Sequence, residues 1–183
     1  MQDYLMTLLG GLAITLQLTA LSLLLGVLLA AGMTWVLERR IPVATQLVQL
    51  WVLIFTGTPL LIQIFLIYYG PGQFEWLKAG PLWPLLKQPW FCAVLALGFN
   101  TAAYSTRLFK GALDAIPAGE VEACRALGFS AGQTLWMKAR HAARRLVPAY
   151  SNEVILVLKG SSLASTITIM DIMGLAQRLN AQT

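Results

Sequence analysis

The chain contains uncharged runs long enough to cross a lipid bilayer. Tyr4 to Leu37 carries no charged residue, Ile41 to Phe74 carries none, and Gln88 to Thr106 carries none. Crossing the hydrocarbon takes about 20 apolar residues in helical conformation, so each run has the length of one span. A fourth apolar region, about Leu146 to Met170, is interrupted by Glu153 and Lys159. In lipid every backbone amide needs a partner within its own segment, which leaves α-helices as the economical solution for such runs. The expectation is therefore an all-α, polytopic transmembrane bundle with four visible spans. Composition agrees: 57% of the residues are hydrophobic and 11% are charged, against roughly 25% charged in soluble domains. Mean hydropathy is +0.68.

The N-terminus does not read as a secretory signal. Asp3 precedes the first apolar run, no basic residue does, and the run far exceeds the ~7–15-residue apolar core of a signal peptide. Orientation follows from the loops. Glu38-Arg39-Arg40 and the segment from Arg107 to Arg145 hold nine of the thirteen basic residues, whereas the loop from Gly70 to Pro89 holds Lys78 and Lys87. Positive loops face the cytoplasm, so the N-terminus is expected outside and residues 107–145 inside. The net charge of +5 is thus a membrane-orientation signal and does not point to nucleic acid.

Within that cytoplasmic segment stands a charged island, Glu122-Ala123-Cys124-Arg125-Ala126-Leu127-Gly128. Pro117 suits a first helical position. Glu120 and Glu122 complement the positive end of a helix dipole, and Arg125 the negative end. Gly128 can adopt the left-handed conformation that ends many helices, and Ser130 with Gln133 forms a capping box for the next one. The expectation is a short surface helix, a sharp turn, and a helix returning to the membrane. An ordinary cytoplasmic loop would have the same local features.

At these residues the chain resembles the membrane subunits of binding-protein-dependent ABC importers, whose EAA loop is matched at Glu122, Ala123 and Gly128. Cys124 stands where a second alanine is usual, and the later aliphatic-Leu-Pro part of the motif is not matched at Lys138-Ala139-Arg140-His141. Gly11 with Thr15-Leu16 and Thr19, Thr56-Gly57-Thr58-Pro59-Leu60-Leu61-Ile62-Gln63, and Tyr150-Ser151-Asn152-Glu153 narrow the resemblance to polar amino acid permeases. Phe65-Leu66-Ile67-Tyr68-Tyr69-Gly70-Pro71-Gly72-Gln73 is most similar to the arginine-transporter type, with histidine-type permeases close behind. The resemblance covers nearly the whole chain, as one transmembrane domain over residues 1–183 with a coupling loop at 114–145. It implies an inner-membrane subunit of an importer for polar, basic amino acids of the arginine, histidine or lysine type. An ATPase subunit, a periplasmic binding protein and a second permease subunit, identical or similar, are its implied partners. It also implies a further span after the region of Asp171 to Leu179. Four spans are visible here, so a fragment, a truncated product and a naturally short form are the alternatives.

Glu122, Ala123, Cys124 and Gly128 are accordingly the candidate ATPase-coupling residues. Candidate pathway residues are Thr56, Thr58, Pro59, Gln63, Asn152 and Glu153. Proline inside a span removes a helix hydrogen bond, and transporters use such breaks for binding; a packing kink is the equal alternative. Ionisable residues inside spans usually face the bundle or water. Glu153 and Lys159, about 120° apart on one helix, are poorly placed to pair with each other. Asp171 is expected to cap the turn after the last apolar region.

The sequence contains no G-x-x-x-x-G-K-[ST] phosphate loop, so the chain is expected not to be an enzyme, and ATP is expected to be bound by a partner. Cys92 and Cys124 fall in a span and in the cytosol, so no disulfide is expected between them. His141 stands alone, and no spacing suggests a metal site or a cofactor. An ion-coupled secondary amino acid transporter and a non-functional permease fragment are the alternative readings.

Overall fold

A computed structural model describes residues 2–181, and all of their regular structure is helical. Helix α1 (Gln2–Arg39) is followed by α2 (Pro42–Gly57), α3 (Leu60–Tyr69) and two one-turn helices, α4 (Glu75–Lys78) and α5 (Trp83–Leu86). Then come α6 (Pro89–Asp114), α7 (Ala118–Ala126), α8 (Ala131–Gly160), a 3-10 segment over Ser161–Ile167, and α9 (Ile172–Asn180).

The helix boundaries have local causes. Arg40 takes a left-handed backbone (φ 52°) after α1, and Pro42 then opens α2, where its missing N–H is harmless. Pro89 opens α6 in the same way. Pro148 sits inside α8 and removes one hydrogen bond without ending the helix.

Helix α6 is the hub, packing against α1, α2, α3 and α8. Small residues let α1 and α6 approach closely: a Cβ on Gly26 would stand 2.1 Å from Thr101 Cγ2, and one on Gly98 2.6 Å from Leu25 Cδ2. Close backbone approach at small residues is how helices associate where no water drives them together. The core lies along this pair and contains Leu18, Ile64, Ala93, Ala96, Leu97, Ala164 and Ile167. Leucines at 9, 16, 24 and 28 of α1 face outward, as a lipid-facing stripe requires.

The four apolar runs do not become four straight spans. Among the described residues, α1 is the one unbroken helix that is both long and apolar enough to cross a membrane. The second run, expected as a single span, is split into α2 and α3, which bend by 109° at Thr58-Pro59. The last region bends by 51° between the α8–3-10 arm and α9. Counting each bent pair as one span gives three. Helix α6 has 26 residues, about 39 Å of rise, and is sheathed by its neighbours. It therefore needs less lipid-facing apolar surface of its own.

Asp171 caps α9 as expected, its Oδ1 accepting from the Gly174 N–H at 2.9 Å. The cap is buried against α1. Thr15 Oγ1 donates to Gly11 O at 3.0 Å and accepts from Ile172 N at 3.3 Å. A Cβ on Gly11 would stand 2.8 Å from that same nitrogen, so Gly11 and Thr15 are where α9 docks.

Candidate substrate pathway and coupling surface

The break in the second apolar run follows from one missing donor. In a continuous helix the carbonyl of Phe55 would accept from the N–H of residue 59; Pro59 has none. Two side-chain amides replace it: Gln63 Nε2 donates to Phe55 O at 2.9 Å, and Asn100 Nδ2 of α6 donates to the same oxygen at 3.1 Å. Asn100 Nδ2 also reaches Gln63 Oε1 at 3.0 Å. Gln63 Nε2 further lies 3.0 Å from Thr58 O and 2.8 Å from Thr58 Oγ1. Thr58, extended at φ −114°, ψ 144°, turns its hydroxyl back to Ile54 O at 2.8 Å. Thr56 bonds back to Val52 O at 2.7 Å. The freed backbone groups therefore face protein, the condition for irregular structure at membrane depth.

Gln63 is one of the candidate pathway residues. It is buried, and it acts as the clamp of the break. Thr58 and Pro59 are exposed beside it.

Glu153 of α8 packs against the same α6 segment. It is 5% exposed, and its Oε1 accepts from Thr101 Oγ1 at 2.5 Å. Together with Leu60, Leu97, Asn100, Tyr104, Leu156 and Val157 it lines a cavity of about 190 Å³. Asn100 thus belongs both to the clamp and to the Glu153 cavity. Asn152 does not join them: it is one residue further round α8 and exposed. Lys159 is likewise exposed on another face, in keeping with its spacing from Glu153. Asn100, Thr101 and Tyr104 were not among the expected site residues. Their signal in the sequence is a polar Asn-Thr pair in the middle of an uncharged run.

The charged island folds into α7 and its turn. Pro117 serves as N-cap, one position earlier than expected, and Ala118 begins the helix. Gly128 is left-handed at φ 78°. Its N–H bonds to Arg125 O at 3.0 Å, and Phe129 N–H to Cys124 O at 3.0 Å, the paired bonds of a Schellman ending. Ser130 and Gln133 complete the capping box at 2.8 and 3.3 Å. Glu122 and Ala123 face outward, whereas Cys124 is buried and 8% exposed. As a surface contact Cys124 is therefore corrected to an inward-facing residue, because three-residue spacing from Val121 puts it on the packed side of α7.

The island is tied to the bundle by apolar and ionic contacts. Val121 packs against the buried cluster of Leu113, Ile116 and Ala142. Glu38 at the end of α1 meets Lys110 of α6 at 3.2 Å and Lys138 of α8 at 2.5 Å, and Lys110 also pairs with Asp114. Burial opposes the Lys110 charge, and the Asp114 and Glu38 carboxylates outweigh it, holding Lys110 above the usual lysine range. His141 is not isolated: its Nδ1 lies 3.3 Å from Glu120 Oε2. No cluster of three metal-ligating side chains occurs among the described residues.

A helical bundle with a clamped break at membrane depth and a Schellman-ended helix on its basic side has the build of a transporter membrane subunit. Residues 22–180 match the family described as the binding-protein-dependent transport system inner membrane component, and the chain belongs to that family. It is similar to the arginine ABC transporter permease protein ArtM of Haemophilus influenzae, 52% identical over 97% of this chain and 78% of that protein. ArtM of Escherichia coli K12 is 50% identical over 100% of this chain and 83% of its own length. The octopine transport permease OccM of Rhizobium radiobacter is 41% identical over 96% and 72%. The fold is similar to a crystal structure of an amino acid ABC transporter with histidines. The TM-score is 0.87 and the identity 28%, over 99% of this chain and 81% of that one.

Proposed function

We propose that the chain is the membrane-spanning permease subunit of an ATP-driven importer for basic amino acids, with arginine the leading substrate. The names of two of its relatives support arginine, and that of a third names octopine. The structural observation that carries the reading is Glu153, a buried carboxylate facing a cavity beside a broken helix. A carboxylate in a low-dielectric cavity attracts a guanidinium or ammonium group more strongly than it would in water. The pathway is formed by Thr58, Pro59, Asn100 and Glu153, with Gln63 holding the break and Thr56 securing the end of α2.

Energy comes from a separate ATPase, which docks on the outward face of α7 at Glu122 and Ala123. Gly128 sets the angle between α7 and α8, so that movement of α7 reaches the bundle through Val121 and the Glu38 hub. A binding protein delivers substrate at the external face, and a second permease subunit, identical or similar, completes the pathway. The N-terminus is external and α7 cytoplasmic.

Uptake of labelled arginine into proteoliposomes containing the permease, its ATPase and its binding protein tests the reading. ATP-dependent uptake that requires both partners is the expected result. Uptake that persists without the ATPase and follows an imposed ion gradient would overturn it in favour of a secondary transporter.

A further inference from the structure

The chain carries a cationic stripe that the transport reading does not use. Along α8, Trp136, Arg140, Arg144 and Val147 recur at spacings of four, four and three residues, which places them on one side of the helix within about 80°. Trp136 is 66% exposed and Val147 67% exposed, and both arginines are exposed. The Arg140 guanidinium lies over the Trp136 ring, 5.6 Å from its centroid. Met137, Arg140, His141, Arg144 and Arg145 line an open cleft of about 370 Å³.

The acidic residues nearby have other partners, Glu120 at the edge of the cleft itself. Glu38 and Asp114 bind the lysines of the hub, and Glu120 faces His141. Arg145 lines the same cleft, but its guanidinium is engaged, donating to Ala115 O at 2.9 Å. Among the described residues neither Arg140 nor Arg144 has a carboxylate within salt-bridge distance. Moreover, the stripe changes character along the helix. It begins with an aromatic residue, continues with two cations, and then becomes exposed Val147 and Ile155 on the arm that enters the apolar part of the bundle. Tryptophan rings and arginine heads both favour the headgroup level, and exposed apolar side chains favour the hydrocarbon beside it, so the stripe has the polarity of a helix passing from the interface into lipid.

We propose that Arg140 and Arg144 form a binding site for the phosphate of an anionic phospholipid headgroup, with Trp136 at the interface and Val147 against the acyl chain. The inference rests on the orientation proposed above, which places α7 and the start of α8 on the cytoplasmic side. Anionic lipids of that leaflet attract juxtamembrane arginines, and a planar guanidinium grips phosphate oxygens in pairs. A lipid is favoured over an acidic protein surface because the stripe continues into exposed apolar side chains, which a water-facing partner would leave bare.

Native mass spectrometry of the detergent-solubilised permease, titrated with phosphatidylglycerol or phosphatidylcholine, reads the site directly. Wild-type protein should retain phosphatidylglycerol about thirtyfold better than the Arg140→Gln/Arg144→Gln variant, from two arginines near the surface. Arg39→Gln/Arg40→Gln, which removes equal charge elsewhere, should keep most of the binding. Millimolar inorganic phosphate should not displace the lipid. Equal retention of both lipids by the wild-type protein, or unchanged binding by the Arg140/Arg144 variant, overturns the site. So does loss of ATPase co-purification with lipid binding intact, which would assign the stripe to the protein partner. Accessibility of a cysteine at Ala123 to an impermeant reagent in sealed inside-out vesicles tests the orientation separately. A cysteine that reacts only in right-side-out vesicles would overturn the orientation and, with it, the assignment of the stripe to the cytoplasmic leaflet.

Discussion

Gly128 offers a clean test of the coupling turn because its replacement changes backbone conformation and nothing else. The residue sits at φ 78°, and a Cβ built there meets no atom within 4 Å. Any penalty is therefore conformational. For an L-residue the left-handed region costs roughly 1–2 kcal/mol, and asparagine is better tolerated there than other residues. Valine should lie at or above the upper end because its branched Cβ makes positive φ a genuine outlier. The turn holds two hydrogen bonds, Gly128 N–H to Arg125 O and Phe129 N–H to Cys124 O, both 3.0 Å. About 2 kcal/mol against them shifts the turn roughly thirtyfold toward the unformed state, at tenfold per 1.4 kcal/mol. The losses in transport and in binding-protein-stimulated ATPase activity should follow the order Asn, Ala, Val, from least to most, in proteoliposomes of equal permease content. Membrane insertion and co-purification of the second permease should persist in all three. If valine transports like the wild type, or if the three variants lose activity equally, the left-handed turn is not what couples α7 to the bundle.

The other predictions concern the break, the cavity and the α9 dock. Thr58→Cys should react with a small water-soluble thiol reagent in the assembled transporter whereas Gln63→Cys should not, because Thr58 is exposed and Gln63 is 5% exposed; the reverse pattern would refute the clamp. Asn100→Leu leaves Gln63 Oε1 without its 3.0 Å donor, and an SDS titration in mixed micelles should register a loss of about 1 kcal/mol, since interhelical hydrogen bonds in membranes average near 0.6 and an orphaned acceptor adds to that. Glu153→Gln keeps the shape and removes the charge; arginine or lysine uptake should fall much more than uptake of a neutral amino acid, if the system carries one, and equal losses would make Glu153 structural. Gly11→Val must push Ile172 N away from 2.8 Å, so proteolysis should reach α9 faster at a cost of about 1–3 kcal/mol; unchanged protection would mean that α9 does not depend on this contact.

Much of this molecule is a consequence of local chemistry and could be read along the chain. The uncharged runs require helices because lipid offers the backbone no partners. Pro89 and Pro42 open helices, Gly128 closes one, and Ser130 with Gln133 starts the next, all through groups within a few residues of each other. The break at Thr58-Pro59 was legible for the same reason, since a proline lacks its N–H wherever it stands. The tertiary structure decided how that loss is repaired. Asn100 lies 45 residues from Phe55 in sequence, and only the packing of α6 against the α2–α3 elbow brings its amide to the bare carbonyl. The same packing buries Gln63 and sets Glu153 against Thr101, 52 residues away, while leaving Asn152 outside. Glu38 seemed one charge in a loop and became the junction of three helices. Helical periodicity states which residues share a face; which neighbour that face meets depends on close approaches such as Gly26 against Thr101, and these exist only once the helices have packed.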